Sequence, residues 1–148
     1  MGYPCNCSGF SGARSNIPVH VNLRFPRETT FSDSVTYSVG GVPYDLTAIV
    51  ATGKILLTCK ADPYLPDSAA YFQLSLGSGI SVTAPTTGQI IFTISPSETE
   101  NMIGLSSCGY FDLIIESGDG SFRQQLLFGK IETTTAVTDF SPPQAAPL

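Results

Sequence analysis

The chain has 148 residues, 42% of them hydrophobic and only 13% charged, with a formal net charge of −5. That length is one ordinary domain, and with 32 Ser or Thr, 14 Gly and 11 Pro the composition is β-rich and turn-rich, which excludes a helical bundle, a coiled coil or a disordered chain. The seven cations are scattered and none falls between Ala61 and Phe122, a stretch that holds seven acids, so nucleic acid and anionic membrane surfaces are excluded as partners.

Residues 1–17 are Gly, Ser, Asn and Cys with isolated aromatics and no periodicity, and are expected to form an irregular arm. This start lacks the basic and apolar regions of a secretory signal. Asn6 stands where a myristoylation motif requires Ser or Thr. No apolar run approaches the roughly 18 residues of a membrane span. The expectation is a soluble chain made in the cytosol without export.

From Pro18 to Thr138 the hydrophobic period is 2 almost throughout. Val19, Val21 and Leu23 alternate with His20, Asn22 and Arg24; Val35, Tyr37 and Val39 alternate with Ser34, Thr36 and Ser38. Gly40-Gly41 then offers the positive φ angles of a tight hairpin. Leu46–Val50 and Ile55–Cys59 are predicted as strands, with Gly53 marking a turn or bulge between them. Phe72, Leu74 and Leu76 form the next alternation, ended by Gly77-Ser78-Gly79, and Ile80 with Val82 a short strand.

Ile90, Phe92 and Ile94 lead into Ser95-Pro96-Ser97-Glu98-Thr99-Glu100. A capping Ser, Pro at the first helical position and acids in the first turn predict a single helical turn there. Phe111, Leu113 and Ile115 then run into the turn Ser117-Gly118-Asp119-Gly120, and Phe122, Leu126, Phe128, Ile131 and Val137 follow. Residues 139–148 are rich in Pro and Ala and read as an extended tail. The predicted organisation is an arm (1–17), a sandwich (18–138) and a tail (139–148). The fold class is all-β: an antiparallel immunoglobulin-like β-sandwich with one short helical turn and extended terminal arms.

Three stretches in this order carry a resemblance: Gly41-Val42-Pro43-Tyr44-Asp45-Leu46-Thr47; Thr87-Gly88-Gln89-Ile90-Ile91-Phe92-Thr93-Ile94-Ser95 with the acidic turn behind it; and Gly109-Tyr110-Phe111-Asp112-Leu113 followed by Gly118-Asp119-Gly120 and Leu126–Ile131. Over roughly residues 30–138 the chain resembles the small immunoglobulin-like modules of tailed-phage virion proteins, including the N-terminal module of the baseplate upper protein family. Phe111 stands where those modules commonly carry a tyrosine. The resemblance implies a virion structural protein docked on a tail, baseplate, neck or capsid, with other virion proteins as partners. Read physically, Pro43 suits the start of a strand, where no ladder N–H is needed. Asp45 suits an Asx turn launching a strand, and Asp112, on the polar phase of its strand, a tie to a neighbouring loop.

The four cysteines are Cys5, Cys7, Cys59 and Cys108. Free thiols, a Cys59–Cys108 disulfide and a zinc site are all open, but the usual C-x(2–4)-C spacing is absent and His20 is the only histidine. Neither a metal nor another cofactor is expected. Asn6-Cys7-Ser8 matches a glycosylation acceptor but has no secretory signal with it. His20, alternating with two valines, is expected to face solvent or a partner, and nothing in the sequence orients it as a catalytic base. The expectation is a non-enzymatic protein. Tyr3, Phe10 and Phe140 are anchors without a home in a small sandwich and are the expected partner interface. A rival reading is a glycan- or host-surface-binding module. Tyr44, Tyr64, Tyr71 and Tyr110 would then be stacking platforms, with Asp62 and Asp67 as hydrogen-bonding partners.

Overall fold

A computed structural model describes residues 18–100, 102 and 108–135. The arm and the tail, with Tyr3, Phe10, Phe140, Cys5 and Cys7, lie outside the described residues. In chain order the strands are β1 (Val19–His20), β2 (Leu23–Pro26), β3 (Phe31–Thr36), β4 (Ser38–Val39), β5 (Val42–Pro43), β6 (Lys54–Lys60), β7 (Phe72–Leu76), β8 (Gly79–Ser81), β9 (Gln89–Ile94), β10 (Cys108–Glu116) and β11 (Arg123–Thr134); helix α1 (Thr47–Thr52) precedes β6 and helix α2 (Pro96–Thr99) follows β9.

The fold is all-β and sandwich-like, built from one curled sheet. Nine strands form that sheet in the order β1-β11-β10-β6-β7-β8-β9-β3, with β2 also pairing β11. The sheet is mixed rather than wholly antiparallel, because β1 and β2 run parallel to β11 and β7 runs parallel to β8. The β7–β8 corner rests on the predicted Gly77-Ser78-Gly79 turn, where Gly77 and Gly79 have φ of 84° and 98°, angles that side chains resist. The curl brings the two ends of the sheet together: Phe25 of β2 stacks on Phe31 of β3 with ring centroids 4.6 Å apart.

The core is the inward phase of the strands. Ile55, Leu57 and Cys59 of β6, Ile90, Phe92 and Ile94 of β9, and Leu113 and Ile115 of β10 are all buried and form one cluster. This is the period-2 pattern of the sequence closing on itself, and burial of these side chains is the main favourable term in folding.

Two sequence readings hold in detail. Gly40 and Gly41, with φ of 63° and 82°, turn the β4–β5 hairpin, and Pro43 sits at its end. At α2, Glu98 Oε1 accepts from both the Ser95 N–H (2.8 Å) and the Ser95 hydroxyl (2.7 Å), a reciprocal cap with Pro96 at the first helical position. Thr99 on this turn is buried, and its Oγ1 accepts the N–H of Glu28 at 2.8 Å.

Leu46–Val50 is a correction. This stretch is not a strand but the start of α1, which buries only Ile49 while Leu46 fills the core just ahead of it. Asp45 does make the expected turn, accepting from the Thr47 N–H (3.0 Å) and hydroxyl (2.5 Å), but it launches a helix. The β-branched residues there favour strand locally, and tertiary context overrides them: Leu46 N–H is taken by Pro85 O at 2.9 Å and Gly53 N–H by Ile49 O at 2.8 Å. Asp112 is tied to the next strand rather than to a loop, accepting from Gln125 Nε2 at 2.9 Å.

Candidate functional site: a groove on the outer sheet face

Because side chains alternate across a strand, the residues of β6, β10 and β11 that do not enter the core form an outward face. Register sets them in rows. Tyr110 stands between Lys60 and Lys130, and Asp112 between Thr58 and Phe128. Ile114 stands between Leu56 and Gln125, and Glu116 between Lys54 and Arg123. On the far side His20 pairs with Phe128. Pro63 and Asp67, on the loop after β6, join these rows around a groove of about 440 Å³, within the size range of small-ligand sites.

The floor is apolar. Ile114 is 7% exposed although it lies on the outward phase, and Leu56 is beside it. Polar groups stand over that floor: Gln125 Nε2 donates to Asp112 Oδ2, and Thr58 lines the groove while its Oγ1 accepts from Gln73 Nε2, outside the groove, at 2.8 Å. The aromatic elements are Tyr110 and Phe128, with His20 meeting Phe128 edge-on at 5.0 Å between centroids.

Three of the seven cations line this groove: Lys60, Arg123 and Lys130. Lys60 is committed to the loop, donating to Leu65 O at 2.7 Å and lying 2.8 Å from Asp67 Oδ1. That hydrogen bond and the charge of Lys60 hold the exposed Asp67 carboxyl below its ordinary range. Lys130 Nζ lies 5.4 Å from the centroid of the Tyr110 ring, a cation–π arrangement. Among the described residues no carboxylate lies within ion-pair distance of Arg123 or Lys130.

The tyrosines singled out from the sequence separate. Tyr44 is half-buried, 5.0 Å from Tyr37 and stacked on Phe122 at 5.8 Å. Tyr71 packs against the core, and burial pushes its hydroxyl pKa up. Neither is a free platform. Tyr64 is 94% exposed on the loop beside the groove, where Asp62 Oδ1 accepts its N–H at 3.0 Å. Tyr110 and Asp67 are in the groove itself. Sequence reading missed Lys60, Arg123, Gln125, Phe128 and Lys130. The available signal was Leu113-Ile114-Ile115, apolar on both phases of one strand, which marks a strand covered or grooved on its outer side.

No disulfide joins Cys59 and Cys108. Cys59 is fully buried, and burial, with Cys108 nearby, pushes its thiol up to about 12, so it sits in the core as a small neutral side chain. Among the described residues no group of three or more His, Cys, Asp or Glu is placed to hold a metal. Among them, too, no helix is long and apolar enough to cross a membrane.

No protein-family model and no curated protein matches the chain. Among solved structures the chain is similar to the inferred receptor-binding domain of human endogenous retrovirus envelope EnvP(b)1, at 9% identity and a TM-score of 0.39, over 88% of this chain and 98% of that one. A likeness of that degree carries no function across.

Proposed function

We propose that this chain is a non-enzymatic structural module of a tailed-phage virion, docked to neighbouring virion proteins on the tail, baseplate, neck or capsid. Its terminal segments, with Tyr3, Phe10 and Phe140, clasp those neighbours, and neither nucleic acid nor membrane is a partner. The observation that carries the docking reading is the β4–β5 hairpin. It forms its own two-stranded unit outside the main sheet's ladder and pairs Val39 with Val42 across its tip, at 44% and 64% exposed. An apolar cross-strand pair left largely exposed outside the core cluster suits an interface. The hairpin also lies at the first of the three stretches that resemble phage virion modules.

The test is incorporation into particles in a phage complemented with variants. Deletion of residues 1–17, or the pair Val39→Asp and Val42→Asp, should remove the protein from purified virions while the soluble chain keeps its far-UV circular dichroism. Normal incorporation of both variants would overturn the proposal. A second reading, a module that binds glycans or a host surface, is favoured by one specific observation: the groove sets Tyr110 between two lysines, with the Gln125–Asp112 pair further along an apolar floor.

A further inference from the structure

We infer that the outer-face groove is a binding site for a carboxylate-bearing saccharide, with Tyr110 and Phe128 as platforms and Lys130 as the carboxylate's partner. This rests on the second reading, binding through the groove, and names the ligand class it takes.

Charge selects an acid. The chain as a whole is at −5, yet this groove gathers three of its cations against two carboxylates. Asp67 is paired with Lys60, while Asp112 accepts from the neutral Gln125 amide and keeps its charge in the middle of the floor. Lys130 remains for an incoming anion at one end of the groove floor, while at the other end the charge of Arg123 acts on Asp67 and stands opposite Glu116. Glu116, opposite Arg123, keeps that end from being an anion site and leaves Lys130 as the partner. Lys130 rests over the Tyr110 ring, a weak contact at an exposed site, so it can turn to a carboxylate and free the ring face for a sugar.

Geometry selects a saccharide over a peptide. The floor strand β10 lies inside the sheet, its backbone paired to β6 on one side and β11 on the other. No main-chain donors or acceptors face the groove for a peptide to join as an added strand. Recognition must come from side chains alone. The Gln125–Asp112 pair offers donor and acceptor side by side, with the Thr58 hydroxyl beside Asp112, which suits vicinal hydroxyls, while aromatic faces and Ile114 suit the apolar face of a pyranose ring.

The experiment titrates the full chain, labelled with ¹⁵N, with trigalacturonate, its neutral methyl ester and hexaglutamate as separate probes, following amide shifts. The expected result is saturable shifts at Tyr110, Gln125 and Lys130 with trigalacturonate. The ester should bind about tenfold more weakly, and Lys130→Gln should erase that difference, since a rim charge sets such preferences. Tyr110→Ala should weaken both sugars, and an unchanged remainder of its spectrum will show that it folds. Equal binding of acid and ester at the groove would overturn the carboxylate assignment and leave the binding reading standing. Tighter saturable binding of hexaglutamate there would overturn the saccharide in favour of an acidic peptide. Shifts that fail to saturate, or that lie elsewhere, would sink both the inference and the reading it rests on.

Discussion

Gly129 is the position where a single methyl group has the most to say about this fold. It lies on β11 where β1 gives way to β2, and a Cβ there would lie 1.8 Å from the Val21 carbonyl oxygen and 2.8 Å from its carbon, against the roughly 3.0 Å such contacts require. In Gly129→Ala the two backbones must therefore separate by at least about 1.2 Å at this point. β11 is held by β10 along its length, so β1 is the element that yields. The separation breaks the Val21 N–H bond to Phe128 O (2.9 Å) and the Lys130 N–H bond to Asn22 Oδ1 (3.2 Å), together with the Val19–Leu127 and His20–Phe128 pairing. At about 1 kcal/mol net for each bond lost, the variant should be about 2–4 kcal/mol less stable. It should still fold, because β2 remains paired to β11 from Leu23 to Pro26. Urea denaturation followed by circular dichroism reads the stability, and amide exchange at Val21 reads the detachment. A midpoint equal to that of the parent, with Val21 still protected, would refute the close approach on which the reasoning depends.

Thr99→Val leaves the Glu28 N–H without its acceptor in a site where Thr99 is wholly buried; the expected loss is about 1–3 kcal/mol, read as a fall in Tm of several degrees, and an unchanged Tm would show the bond to be immaterial. Cys59, buried and with its thiol at about 12, should be alkylated by iodoacetamide at pH 8 at least ~100-fold more slowly in the native chain than in urea. Mass mapping reads this, and equal rates would contradict the burial. Asp119 accepts from Ser121 N–H and from the hydroxyls of Ser121 and Ser117, which hold its carboxyl at about 2. A depressed folded-state pKa contributes stability above the unfolded value, roughly 3.9, and loses it as pH falls through about 2. Asp119→Asn should therefore flatten the fall of Tm between about pH 4 and pH 2, and an unaltered pH profile would remove Asp119 from that role.

Much of the β architecture was legible because burial on one face of a strand imposes period 2 on the sequence. Phe72-x-Leu74, Ile90-x-Phe92-x-Ile94 and Leu113-x-Ile115 were predicted as inward-facing runs and their side chains are core. Turns were legible where local chemistry decides them alone: two glycines at positive φ in the β4–β5 hairpin, and Ser, Pro and Glu at fixed offsets in α2. α1 was not legible, since Leu-Thr-Ala-Ile-Val has the composition of a strand; what makes it helical is the partner found for its ends, Pro85 O before it and the chain turn at Gly53 after it.

The sequence by itself determined the class of fold and the sparse, acid-leaning charge, because both follow from residue types and their spacing. The groove was decided only by the tertiary structure. Lys60, Tyr110, Arg123 and Lys130 come from three strands, with up to 70 residues separating Lys60 from Lys130 in the chain, and only the antiparallel register of β10 with its two neighbours sets Lys60, Tyr110 and Lys130 in one row with Arg123 at the far end of the same face. Pairing register is a property of strands brought together, and one residue of slip would turn every one of these side chains to the opposite face.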